Sequence, residues 1–79
     1  MTTIDMTMAA VRPVTTALRH AMPGIRDRSA RDDLLFLEHW EIAPLGGMAS
    51  ALRVQQIRRA NPELAEAIRA EVAARHAPR

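Results

Sequence analysis

Ala60-Asn61-Pro62-Glu63 is the stretch whose reading decides the fold. Asparagine is a favoured N-cap, and proline is favoured at the first helical position because the N–H it lacks would go unpaired there. One helix therefore stops near Ala60 and another starts at Pro62. The upstream helix is expected over Met48 to Ala60, with Gln and Arg concentrated between Leu52 and Arg59. The downstream helix is expected over Pro62 to His76 and is rich in Ala and Glu. In the latter, Leu64, Ile68 and Val72 form one edge and Ala67, Ala70 and Ala74 a second. Glu66 with Arg69 and Glu71 with Arg75 have the spacing of surface ion pairs.

Working outward, Pro44-Leu45-Gly46-Gly47 breaks the chain before Met48, and glycine at positive φ allows the tight reversal. Ahead of it, Ser29 to Asp32 has the S-x-x-D form of a capping box and introduces a helix over about Ala30 to Ile42. Phe36, Leu37 and Trp40 share a face of that helix and are expected to anchor the core. Leu35 and Ile42 lie on another side, which places this second helix at the centre of the fold. At the N-terminal end Ile4, Met8, Val11, Val14, Leu18 and Met22 recur at helical spacing, but Pro13 interrupts them. The expectation is a frayed or separate piece over residues 1–12, then a helix with Pro13 in its first turn, ended by Met22-Pro23-Gly24. No alternating stretch long enough for a sheet is present. The sequence thus predicts a single all-α domain over residues 1–79, a small bundle of three principal helices plus a short or kinked N-terminal one.

Composition sets bounds on function. A chain of 79 residues buries only about 60 to 65% of its unfolded surface, so its core is small and a partner surface would help it. Cysteine is absent, which excludes disulfides, thiolate nucleophiles and Cys-ligated metals and fits a cytoplasmic setting. No apolar run approaches the roughly 20 residues a membrane span requires, and Asp5 stands where an export signal wants apolar residues. The pI near 11 reflects arginine as the sole basic residue type, with a net charge of only +2. Residues 1–47 hold five arginines against six acids, whereas residues 48–79 hold six arginines against three glutamates.

The chemistry-bearing residues point away from catalysis. His20, His39 and His76 fall on three helices with no ligand spacing, so no metal site is expected. Asp32, Asp33, Glu38 and Glu41 crowd the second helix, but no nucleophile, base or phosphate-cradling loop accompanies them. No catalytic residue, cofactor or small-molecule ligand is inferred. The expected function is a non-catalytic protein–protein interaction module, self-associating or binding a partner protein through the exposed faces of the second and third helices. Glu38, Glu41, Met48, Leu52, Gln55, Gln56 and Arg59 are its candidate contacts. The alternative is a small DNA-binding regulator using residues 48–60, which resemble a helix-turn-helix recognition helix in carrying Ser50, Arg53, Gln55, Gln56, Arg58 and Arg59 after a glycine turn. A second alternative is an accessory subunit of an enzyme. The charges of the second and third helices have a plainer use as well, which is to neutralise one another within one subunit.

Overall fold

The computed structural model describes residues 11–76. Four helices follow in order: α1 (Thr16–Ala21), α2 (Arg28–Ile42), α3 (Met48–Ala60) and α4 (Pro62–Arg75), with a 3-10 turn at Met22–Gly24 closing α1. No strand occurs among the described residues. The chain is an all-α bundle, and the bounds of α3 and the start of α4 fall where the Asn-Pro junction and the glycine pair place them. Gly47 has φ 103°, a conformation that suits glycine.

Three local details differ from the sequence reading. Thr15, with an extended backbone, caps α1 by accepting from the Leu18 N–H at 3.3 Å, so the helix begins after Pro13 and not around it. The expected stripe through Val11 and Val14 is therefore not helical, and Ile4 and Met8, with most of the expected frayed piece, lie outside the described residues. Asp27 caps α2 by accepting from the Ala30 N–H at 3.2 Å, which starts the helix at Arg28 and leaves Ser29 in its first turn. Asn61 makes no side-chain cap for α4; its Nδ2 donates back to the Ile57 carbonyl at 3.2 Å and closes the end of α3.

The core consists of Leu18 of α1, Leu34, Leu35 and Leu37 of α2, Val54 and Ile57 of α3, and Ala65, Ile68 and Val72 of α4. α4 packs against each of the other three helices and occupies the centre that the sequence assigns to α2. Small side chains such as Ala65 let neighbouring helices approach it closely. Phe36 and Trp40 do not anchor the core as expected. The arc of α2 turned toward α1 and α4 runs through Leu37, Leu34, Glu38 and Leu35, which leaves both aromatic rings half-buried at its margin. There, the guanidinium of Arg53 lies 4.1 Å above the Phe36 ring and that of Arg58 lies 5.4 Å above the Trp40 ring. Trp40 Nε1 donates to the Leu45 carbonyl at 3.3 Å and ties the α2–α3 loop to α2. On the other side, Arg31 donates to the carbonyls of Ile25 and Met22 and fixes the α1–α2 connection.

Candidate interaction face

The carboxylates of the second helix are largely absorbed by the fold. Glu38 is only 3% exposed. Its Oε1 accepts from the Val14 N–H at 2.8 Å, and its Oε2 accepts from the Thr15 N–H at 2.8 Å and the Thr15 hydroxyl at 2.6 Å. A helix start leaves its first N–H groups without intrahelical acceptors, and a carboxylate there also suits the helix dipole. Glu71 of α4 completes the arrangement by accepting from the N–H groups of Thr16 at 2.7 Å and Ala17 at 3.2 Å. These backbone bonds, chiefly the one from Thr16, hold the Glu71 carboxyl below its usual value, with Arg75 adding to the effect. Five successive N–H groups, Val14 to Leu18, are thereby satisfied by three side chains. Glu38, read from sequence as a partner contact, is an interior cap because the chain ahead of α1 folds over it.

Asp33 and Glu41 meet the arginines of α3. Arg53 bonds Asp33 at 3.1 Å and Arg58 bonds Glu41 at 2.5 Å. The acidic second helix and the basic third helix thus neutralise one another inside one subunit. Two of the arginines in the DNA-binding set are held at this seam, each also covering an aromatic ring. Asp32 is half-buried, and its Oδ1 has no hydrogen-bond partner. On α4, Arg69 donates to Glu66 and holds the Glu66 carboxyl low, and Arg75 pairs with Glu71 at 2.6 Å. Among the described residues, no three His or acidic side chains gather as a cation site.

The orientation of α3 decides which of its side chains complete the core and which face outward. Val54 and Ile57 are 1% and 3% exposed, whereas Met48 and Leu52 are 78% and 51% exposed. Gln55, Gln56 and Arg59 are exposed as well, and helical spacing sets all five of these side chains in one row on the side away from the core. Ser50 is half-buried. α3 contains no acid, and the Arg59 side chain makes no hydrogen bond or ion pair with another described residue.

A second surface escapes the sequence reading. Val11, Val14, Leu35, Phe36, Ile42 and Leu45 line a groove of about 430 Å³, together with Arg12, Glu38 and His39. Its wall is the non-helical segment before α1, which the helical spacing of Val11 and Val14 conceals. The available signal is Thr15, a good N-cap placed two residues after Pro13. Searches against protein-family models, curated proteins and solved structures find no match to this chain.

Proposed function

We propose that this chain is a non-catalytic interaction module that docks a partner protein through the outer row of α3. The observation that carries the reading is the exposure of Met48 and Leu52, one turn apart, on a helix whose opposite side already completes the core. Large apolar side chains at four-residue spacing are the anchors by which one helix seats against another. Gln55, Gln56 and Arg59 flank them with polar contacts. Since α3 has no acid, two copies meeting through this face would bring arginines together without a counter-charge. The face fits a different protein whose apolar helix carries an acidic flank, and complementary charge would set its register. Glu41 does not belong to this surface, because Arg58 covers it.

Support for the DNA-binding alternative is thinner. Affinity for duplex DNA grows with the number of phosphates that cations neutralise. Arg53 and Arg58 are engaged with Asp33 and Glu41, so Arg59 is the cation this face offers. An accessory subunit of an enzyme is one form of the docking reading, decided by what the partner is. No helix among the described residues is long and apolar enough to cross a membrane, and we place the interaction in the cytoplasm on the absence of cysteine.

The test is a photo-crosslinking side chain placed at position 52, with exposed position 67 of α4 as its control, in cells that make the protein. The expected result is an adduct to one other protein from position 52, absent from position 67 and lost when Arg59→Glu is added. Equal adducts from both positions, an adduct with a second copy, or none would overturn the reading.

A further inference from the structure

We propose that the groove between the segment ahead of α1 and the side of α2 binds an amphiphilic carboxylate, an alkyl chain ending in a single negative charge. The inference uses residues separate from the α3 row and does not rest on the docking reading. Apolar side chains supply most of the described lining: Val11 and Val14 from the segment ahead of α1, Leu35, Phe36 and Ile42 from α2, and Leu45 from the loop. At about 430 Å³ the space lies in the range of small-ligand sites, roughly 300 to 1,000 Å³.

The wall is fixed in place at Val14. The Val14 N–H donates to Glu38, and the Val14 carbonyl accepts from Arg19 at 3.0 Å and from Arg75 at 3.3 Å, so three helices hold one residue. A wall held this way needs little ordering when a ligand enters, which favours binding.

Charge selects the ligand's head. Glu38 is the one acid among the described lining residues, and both of its oxygens already accept hydrogen bonds from Val14 and Thr15. Arg12 and His39 also line the groove and are exposed, and their side chains make no hydrogen bond or ion pair with another described residue. An apolar trough with an uncommitted arginine and a committed acid is complementary to an apolar tail with an anionic end. The outer row of α3, with Arg59 and no acid, lacks that complementarity, so a second copy presenting this row is a poor occupant.

The experiment is calorimetric titration of the full chain with decanoate below its micelle threshold, alongside decanol and decyltrimethylammonium, which share its chain length. Decanoate is expected to bind one to one, with decanol about fivefold weaker and the cation weaker still. Arg12→Ala should cost decanoate about fivefold and leave decanol unchanged, and Arg12→Lys should restore most of the loss. Methyl NMR shifts on decanoate addition should fall on Val11, Val14, Leu35, Ile42 and Leu45, which also establishes that each variant is folded. Equal affinity for decanoate and decanol, indifference to Arg12→Ala, or no binding would overturn the proposal. So would decanoate binding seen only after Ile4→Ser and Met8→Ser, which would assign the groove to the chain's own N-terminal residues. Formation of a dimer that Ile42→Glu abolishes would assign it to a second copy and overturn it equally.

Discussion

The carboxylate of Glu38, on α2, accepts both the backbone N–H and the hydroxyl of Thr15, the residue that caps α1. A single buried side chain thereby joins two helices through residues 23 positions apart in the chain, and Thr15 passes the constraint on through its own hydroxyl to Leu18. Glu38→Ala leaves three donors without that acceptor, two of them in the buried Thr15. Unsatisfied buried donors are costly, and the expected loss is about 3 kcal/mol. Glu38→Gln keeps one acceptor oxygen and should lose less. Urea unfolding of the two variants beside the parent chain checks both the size and the order.

Glu71 makes the attachment of α1 depend on pH. Its carboxyl is held below the usual value of 4.5 by the Thr16 and Ala17 N–H groups and by Arg75. The folded state therefore binds the proton less readily than the unfolded chain. The stabilisation is complete above about 4.5 and disappears as pH falls through the lowered value. Thermal unfolding midpoints measured across that window should drop less steeply in Glu71→Gln than in the parent, and parallel curves would contradict this assignment.

The α2–α3 seam depends on Arg58, which pairs with Glu41 while lying over Trp40. The Arg58 side chain is 40% exposed, so solvent screens the pair, and Arg58→Ala should cost about 1 kcal/mol. A double-mutant cycle with Glu41→Gln separates the ion pair from the stacking on the ring. The Arg58→Ala loss should persist in part when Glu41 is already neutral.

Gly46 and Gly47 look alike in sequence and differ in structure. Only Gly47 has positive φ, and a Cβ at either position would meet open space. Gly47→Ala should therefore cost about 2 kcal/mol through backbone strain alone. Gly46→Ala should stay within about 0.5 kcal/mol of the parent in the same unfolding assay.

Legibility followed the range of the forces involved. Helix bounds at Gly47, Met48 and Pro62 are local backbone chemistry and could be read directly, as could the Glu66–Arg69 and Glu71–Arg75 pairs. The sequence also contained the charge match between α2 and α3, but not the pairing of Arg53 with Asp33 and Arg58 with Glu41, because that needs the register of two helices. The same limit hid Glu38. Its helical position resembles that of any surface acid, and only the path of residues 14 and 15 over α2 makes it a cap. Phe36 and Trp40 misled for a related reason: size and spacing mark a core pair, yet three leucines claim the arc turned inward. Of the candidate contacts, Met48, Leu52, Gln55, Gln56 and Arg59 remain together on one exposed row.

Burial separates the two leucine environments sharply. Leu37 is wholly buried and Leu52 is half exposed. Leu37→Ala should cost about 3 to 4 kcal/mol, whereas Leu52→Ala should remain within about 0.5 kcal/mol of the parent. Equal losses would mean that α3 is turned the other way.

The central claim is that the outer row of α3 serves recognition and not folding. Its most direct test is the affinity of the protein crosslinked through position 52 for the parent chain and for Leu52→Asp, measured by calorimetry on samples of matched unfolding free energy. The account predicts that Leu52→Asp binds at least about tenfold more weakly while unfolding at the same denaturant concentration. Undiminished affinity in the folded variant would contradict it.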